Sequence, residues 1–175
     1  MADQSRRDQG RRDQGLEKVI YQPIGIIRSP FQQLVDIPIQ PSAALGVQGR
    51  VEVNARYREG LADLVGFSHL ILIYHFHQVT GFEMKVVPFL DTRERGLFAT
   101  RAPKRPNPIG LSIVELLAVE DRVLRIANVD VLDRTPLLDI KPYVPYFDRP
   151  DVKRAGWVEK SKDQVQKKRS DDRFL

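Results

Sequence analysis

The stretch that decides the fold is SHLILIYHFHQV, residues 68–79. Its apolar residues occupy both odd and even positions, so an extended chain here is apolar on both faces. A continuous apolar run bounded by polar residues is typical of a strand that is covered on both sides. We therefore predict a central strand, with a second chain covering its outer face.

Further strand patterns surround this run. The chain alternates Val51 and Val53 with polar residues in GRVEVNARY (49–57), and β-branched residues punctuated by Pro and Gly fill VIYQPIGIIRSPF (19–31). GLFAT (96–100) has the composition of a short strand, and residues 111–133 predict a hairpin that turns at 120–122.

One helix is predicted, in NARYREGLADLVGF (54–67). Tyr57, Leu61 and Leu64 follow the spacing of a single helix face, with Asn54 as the N-cap and Gly66 as the stop. Many short strands with one short helix predict an all-β dominated fold, a small closed β-barrel.

The domain organisation follows from shifts in composition. Residues 17–148 form the predicted barrel domain. Residues 1–16, with a repeated RRDQG, are predicted to be a disordered basic tail, and residues 149–175 form a basic C-terminal tail that Trp157 anchors.

Composition limits the functional classes. The 175 residues carry a net charge of +5 with a pI of about 9.6, which favours anionic partners such as nucleic acid, although many soluble enzymes are equally basic. The absence of cysteine excludes disulfides and thiolate sites and fits a cytoplasmic location. No apolar run approaches the roughly 20 residues that span a bilayer, so no membrane association is expected.

Glycine and histidine spacing exclude two common kinds of site. The eleven glycines contain no Gly-x-Gly pair, which argues against a dinucleotide fingerprint and the usual Rossmann methyltransferase. On one strand His69 and His75 would lie about 20 Å apart, so they cannot share a metal. We predict no metal site, and we expect His77, beside Gln78, to face a pocket.

A rigid cationic loop follows the central strand in GLFATRAPKRPNPIGLS (96–112). Its prolines hold Lys104, Arg105 and Asn107 on a preset extended path, which lowers the entropy lost when an anion binds. The segment predicts a phosphate- or carboxylate-binding surface. The alternative is a rigid connection whose charges are merely solvated.

An acidic and proline-rich segment, DVLDRTPLLDIKPYVPYFD (130–148), is the second candidate. Asp130, Asp133 and Asp139 could bind ribose hydroxyls or favour a cation such as a sulfonium. Tyr143, beside Lys141, has the ring to stack on a base, or else packs against the barrel end.

These stretches, together with IGIIRSPF (24–31) and DIPIQP (36–41), resemble the TrmO/TsaA-like family, also called YaeB. The resemblance implies a small β-barrel that works as a homodimer and binds S-adenosyl-L-methionine outside the Rossmann class. It implies a tRNA N6-methyltransferase that acts on threonylcarbamoyl-adenosine next to the anticodon. Bacterial members often add a C-terminal domain, for which the basic tail here is a possible substitute in tRNA docking.

The resemblance also implies site residues. Contacts to the methyl donor fall on Pro41, Ser42, Ala43, His77, Gln78, Arg101, Leu111, Arg134, Thr135, Pro136 and Leu137. One position departs from the family, which usually has glycine where this chain has Arg134. Arginine is unfavourable at positive φ, so either the turn is recast or Arg134 contacts the substrate.

For the substrate, we expect Lys104, Arg105 and Lys141 to bind tRNA phosphates, with Asn107 and Tyr143 completing the surface. A general base for the N6 proton is Asp133 or Asp139, and the sequence does not choose between them. Two other functions stay open: a non-catalytic module that binds S-adenosylmethionine or RNA, and a purely structural dimer.

Overall fold

Strands form most of the regular structure in the computed structural model, which describes residues 18–35, 37–164 and 167–174. The strands are β1 Gly25–Arg28, β2 Gln48–Val53, β3 His69–His75, β4 Lys85–Val86, β5 Arg95–Gly96, β6 Ile109–Glu120, β7 Val123–Ala127 and β8 Thr135–Pro142. The helical segments are 3-10 turns at Pro41–Ala43, Ala55–Leu61, Leu64–Gly66, Leu97–Ala99, Gly156–Gln164 and Asp172–Phe174, and one α-helical turn at Pro145–Asp148.

Six of these strands close into a barrel in the order β1-β2-β7-β6-β3-β8, with antiparallel pairing throughout. Strand β6 makes the closure possible because its first half pairs with β3 and its second half with β7. A register shift between Leu116 and Ala118 bends it between the two partners. The predicted closed barrel is confirmed.

The barrel interior is filled by alternate residues of its strands. Val51 and Val53 of β2 are fully buried, as the alternation in 49–57 predicts, and Leu124 and Ile126 face them from β7. The hairpin turn predicted at 120–122 is also present, with Asp121 at φ 55°.

Strand β3 is central to the barrel and apolar on both faces. Leu70, Leu72 and Tyr74 point into the core and are buried. On the outside Ile71 and Ile73 are half-buried. They stand opposite Ile113 and Leu111 of β6, respectively, which are exposed.

Two local predictions need correction. The helix predicted over 54–67 is instead two 3-10 segments, because Asp63 adopts φ 65° between them; Asn54 does cap the first by accepting from the Arg56 amide. GLFAT is wrong as a strand: only Arg95–Gly96 pairs, and Leu97–Ala99 turns so that Leu97 enters a second apolar cluster.

That second cluster lies outside the barrel and holds the C-terminal segment. Phe174 is buried against Val86, Leu97 and Ala102, while the indole Nε1 of Trp157 donates to the Ala99 carbonyl at 2.8 Å. The predicted tail 1–16 lies outside the described residues. Within the described part of the chain, no helix is long and apolar enough to cross a bilayer.

A glycine substitution tests how tightly this barrel end is packed. A Cβ on Gly110 would lie 2.6 Å from Cζ of Tyr74 and 2.9 Å from Cζ of Phe76. We expect Gly110→Ala to lower the free energy of unfolding by about 1–3 kcal/mol, since buried rings must move. Urea denaturation measures this. Gly60→Ala, where a Cβ meets nothing within 4 Å, is the control and should be neutral or stabilising. An unchanged Gly110→Ala midpoint would contradict the packing.

Candidate functional site

A cavity of about 380 Å³ opens at the barrel end where β3 finishes and β6 begins. This volume falls in the range of small-molecule sites. Its lining comes from five parts of the chain: Leu34, Ile37, Pro38, Ile39 and Gln40; Tyr74, Phe76, His77, Gln78, Val79 and Phe89; Thr100, Arg101, Pro103, Arg105, Ile109, Gly110 and Leu111; Asp130, Val131, Leu132 and Thr135; and Ser170, Asp171 and Phe174.

A buried hydrogen-bond chain forms one side of this cavity. The Tyr74 hydroxyl and Ser112 Oγ are 2.9 Å apart, and Ser112 Oγ donates to Asp130 Oδ1 at 2.6 Å. Burial raises the pKa of the Asp130 carboxyl to about 6, despite the Ser112 hydrogen bond and the positive charge of Arg101. Burial, followed by the charge of Asp130, raises the pKa of Tyr74. Asp130 is therefore a carboxyl group that a cation at the site would help to ionise.

A cationic and a neutral polar side chain, Arg101 and His77, line the same cavity as this carboxyl. Arg101 donates through Nη1 to Gln40 Oε1 at 2.9 Å and remains solvent-exposed. Burial lowers the pKa of His77, with smaller contributions from the charges of His75 and Arg134. His77 is therefore mostly neutral at pH 7, with its Nδ1 3.5 Å from Thr135 Oγ1.

Five of the residues predicted for the donor line the cavity: His77, Gln78, Arg101, Leu111 and Thr135. Ser42 lines a neighbouring cavity, whereas Pro41 and Ala43 line neither. Pro136 pairs with Ile26 across β1 and β8, and Leu137 is fully buried in the barrel core.

Arg134 keeps the backbone conformation that favours glycine, with φ 62°, and its side chain is exposed. The turn therefore keeps the positive φ expected of the family's glycine, and the expectation that arginine changes the turn conformation is wrong. Thr135 Oγ1 donates to the Leu132 carbonyl at 2.8 Å across this turn. The positive φ at Arg134 costs about 1 kcal/mol or more, and the pairing of the surrounding strands offsets this cost.

Neither predicted general base is among the described residues that line the cavity. Asp133 Oδ1 accepts from the Ser29 amide at 3.1 Å, and Oδ2 lies 3.8 Å from the Arg28 guanidinium. Asp139 lies outside the barrel on β8, 2.8 Å from Lys141 Nζ. In one protomer these carboxylates order a loop and balance a neighbouring charge.

The cationic loop is stabilised by its own charges. Arg105 Nη1 donates to the carbonyls of Thr100 and Ala102 at 3.0 and 3.3 Å, and Lys104 Nζ lies 3.3 Å from Glu83. Asn107 is exposed at the tip. Two of the residues predicted to bind tRNA therefore already have partners, which fixes the loop beside the cavity mouth.

Lys141 and Tyr143 lie at the other end of the barrel. The Tyr143 amide donates to the His69 carbonyl at 3.0 Å, and Lys141 stands opposite Ile71. Strand β3 runs from His69 to His75 between the two ends, about 20 Å at 3.3 Å per residue. The described chain therefore holds the two groups of predicted substrate residues apart.

The sequence reasoning missed two parts of the site. Ser112 was given no role, although it is a buried polar residue within the apolar pattern of β6, where it donates to Asp130, one of the carboxylates expected to bind ribose hydroxyls or a cation. Ser170, Asp171 and Phe174 reach the cavity from the C-terminal segment. No local pattern in the sequence places them there.

The described residues fit the donor that the family implies. S-adenosylmethionine carries a carboxylate, ribose hydroxyls and a positive sulfonium. Arg101 offers a forked donor for a carboxylate, and Asp130 offers a carboxylate for hydroxyls or positive charge. Phe76, Ile109 and Leu111 supply apolar wall for a base.

Known proteins resemble this chain in sequence and in barrel structure. The family model of the tRNA-methyltransferase O N-terminal domain matches residues 26–149. A probable S-adenosyl-L-methionine-binding protein of Pyrococcus abyssi is 53% identical over 157 residues, covering 90% of this chain and 85% of the relative. The tRNA (adenine(37)-N6)-methyltransferase of Escherichia coli is 38% identical, covering 73% of this chain and 59% of that enzyme.

Among solved structures, TrmO from Pseudomonas aeruginosa superimposes with a TM-score of 0.68 at 39% identity, covering 80% of this chain and 62% of the other. The chain thus spans less than two thirds of that structure and of the Escherichia coli enzyme. Fold and site together define a β-barrel methyltransferase domain that uses S-adenosylmethionine. The chain belongs to the tRNA-methyltransferase O family. The predicted family, enzyme class and cofactor are confirmed.

The Asp130 carboxyl should make stability depend on pH. Its folded pKa of about 6 exceeds the ordinary value of 3.8, so the folded state binds this proton more tightly. The stability it contributes is present below pH 4 and is lost as pH rises through 6. We expect Asp130→Asn to gain stability relative to wild type between pH 4.5 and 7.5, on the order of 1–3 kcal/mol, in urea melts.

Asp171 is the control for this pH profile, because its pKa is shifted in the opposite direction. Hydrogen bonding and charge from Arg173 hold the pKa of Asp171 below its usual value. Asp171→Asn should therefore lose stability relative to wild type at neutral pH, and that loss should shrink as pH falls. Parallel profiles for Asp130→Asn and wild type would contradict the burial of the Asp130 carboxyl.

Proposed function

We propose that the protein methylates N6 of threonylcarbamoyl-adenosine, next to the anticodon of tRNA, with S-adenosylmethionine as the donor. The observation that carries this proposal is the cavity that brings Arg101 and Asp130 together in a barrel of the tRNA-methyltransferase O family. The relatives from Escherichia coli and Mus musculus are named tRNA (adenine(37)-N6)-methyltransferases, which supports tRNA as the substrate. For such a substrate we propose a cytoplasmic location.

The donor, when bound, supplies an electrophilic methyl group. Arg101 would bind its carboxylate through a charge-assisted hydrogen bond, and Leu111 would supply apolar wall for its base. His77, Gln78 and Thr135 line the inner side. The turn at Arg134 and the segment from Pro41 to Ala43 hold these groups in place through the backbone.

Positive charge at the cavity mouth favours a polyanionic acceptor. Arg105 and Lys104 order the proline-rich loop and keep its net positive charge beside the opening, with Asn107 at the tip. Since a preset loop loses little entropy on binding, it can hold tRNA phosphates at modest cost. Lys141 and Tyr143 contribute only if the opposite barrel end comes close.

A homodimer would bring the opposite barrel end of a second subunit close to the donor cavity. Ile71, Ile73, Leu111 and Ile113 form an apolar outer face across β3 and β6, and Leu111 and Ile109 also line the cavity. An exposed apolar face beside a cavity is typical of an interface. A two-fold axis perpendicular to β3 would bring opposite barrel ends together, so that Lys141 of the partner subunit lies near the first cavity.

The same dimer would also bring Asp139 close to the donor cavity of the other subunit. It flanks the apolar face opposite Ile73, so the partner's Asp139 is the predicted base that a dimer brings toward the cavity. Asp133 is held by Ser29 and Arg28, which makes it a positioning residue for the loop that precedes the cavity wall.

A charge placed on the outer face tests the dimer. Ile113 is 36% exposed, so Ile113→Asp should leave the fold intact but convert a dimer into monomers in analytical ultracentrifugation. The control is Leu117→Asp, which lies further along β6 and is 44% exposed but has no β3 partner. A wild-type protein that sediments as a monomer, or an Ile113→Asp protein that remains dimeric, would refute this interface.

Transfer of label tests the function itself. The purified protein, mixed with methyl-labelled donor and threonylcarbamoylated tRNA, should place label on that adenosine and leave tRNA without the threonylcarbamoyl group unlabelled. Arg101→Ala should weaken donor binding about tenfold or more in calorimetry, as expected for a lost charge-assisted bond. Donor binding without transfer to any tRNA would overturn the proposal in favour of a non-catalytic binding module.

A further inference from the structure

A second cavity, of about 640 Å³, adjoins the donor cavity. The residues that line both cavities are Ile39, Gln40, Phe89, Thr100, Arg101, Pro103 and Phe174. In-line transfer requires donor and acceptor to meet across a short gap, so a cavity that shares a wall with the donor cavity lies where an acceptor must enter.

The lining of the second cavity differs chemically from that of the first. Asp130 and Asp171 line the donor cavity, whereas no carboxylate is among the described residues around the second. The rings of Phe98 and Trp157 line only the second cavity, and the ring of Phe89 lines both. A positively charged donor is favoured in the first cavity, and a flat neutral ring system is favoured in the second.

Two of these aromatic rings lie beside arginine side chains, which are also the groups that bind RNA phosphates. The Arg95 guanidinium lies 5.7 Å from the Trp157 ring centroid, and the Arg105 guanidinium lies 5.7 Å from the Phe98 ring. Trp157 is further fixed by its hydrogen bond to the Ala99 carbonyl. Aromatic rings beside arginines are the usual means by which proteins bind an unstacked base and its phosphates.

We propose that the second cavity receives the purine base of the acceptor nucleotide, and that Trp157 of the C-terminal segment stacks on it. This inference rests on the proposed tRNA methylation and names the part of the chain that holds the base. Residues Ala155, Trp157 and Val158 lie beyond 149, where the family match ends, and they close one side of the cavity. The C-terminal segment is therefore part of the acceptor site.

Trp157 is the one tryptophan in the sequence, so its fluorescence reports directly on this cavity. The probe is an anticodon stem-loop RNA that carries threonylcarbamoyl-adenosine, added to the full chain saturated with S-adenosylhomocysteine. We expect the RNA to change Trp157 emission. A matched stem-loop with an abasic site at that nucleotide should bind through its phosphates and leave the emission nearly unchanged. Equal changes with both RNAs, or no change with either, would overturn the proposal.

Substitutions give an independent measurement. Trp157→Ala and Phe98→Ala should each raise KM for the stem-loop roughly tenfold to a hundredfold, as expected for a lost base–aromatic stack, while Kd for S-adenosylhomocysteine stays unchanged. Trp157→Phe keeps a ring and should restore most of the affinity. Phe98 is 70% exposed and lines only the second cavity, so its variant tests the site if Trp157→Ala is unstable.

Val152→Ala is the matched surface control, since Val152 is 66% exposed on the same segment and lines neither cavity. If the stem-loop is methylated while KM stays within twofold of wild type in both aromatic variants, the assignment of the second cavity is wrong and the proposed function stands. If no tRNA is methylated but the two RNAs still differ in fluorescence, the base-binding cavity stands and the proposed function fails.

Discussion

Tyr74, Ser112 and Asp130 join three segments at the place where the apolar barrel core gives way to the cavity. The tyrosine comes from β3, the serine from β6, and the aspartate from the connection between β7 and β8. Hydrogen bonds link the three polar groups, and the positive charge of Arg101 also acts on the carboxyl, so the barrel end tolerates this largely buried group. Gly110 leaves room for the Tyr74 ring in this arrangement, and the donor cavity depends on it.

Strands β3 and β6 are constrained because one face of each builds the core and the other forms an apolar outer surface. Their inner faces build the core through Leu70, Leu72 and Val114, while their outer faces remain apolar through Ile71 and Ile113. Leu111 belongs to the outer face and to the cavity wall at once. Any chain that covers this face therefore also borders the cavity, which links assembly to the completeness of the site.

Charge in the cationic loop has two functions that are easily confused. Arg105 donates to carbonyls of its own loop, and Lys104 is paired with Glu83, so these residues first stabilise the loop that they belong to. Among the described residues, Arg101 donates a hydrogen bond to the neutral side chain of Gln40, and it borders both cavities. The prolines and the internal hydrogen bonds together fix where Arg101 stands, and they do so before any anion arrives.

Local patterns in the sequence were enough to predict the closed barrel and several of its strands, although not GLFAT, since side-chain alternation is set by neighbours along the chain. Val51 and Val53, the turn at 120–122 and the two-faced strand β3 are confirmed for that reason. The motif resemblance likewise identified the family and its cofactor.

Tertiary structure alone decided the rest. It separated Lys141 from Lys104, placed Asp130 rather than Asp133 in the cavity, and brought Trp157 and Phe174 to the site from the far end of the chain. Which carboxylate is buried and which segments meet are consequences of barrel closure and chain packing, and residues distant in sequence carry no local signal of that contact.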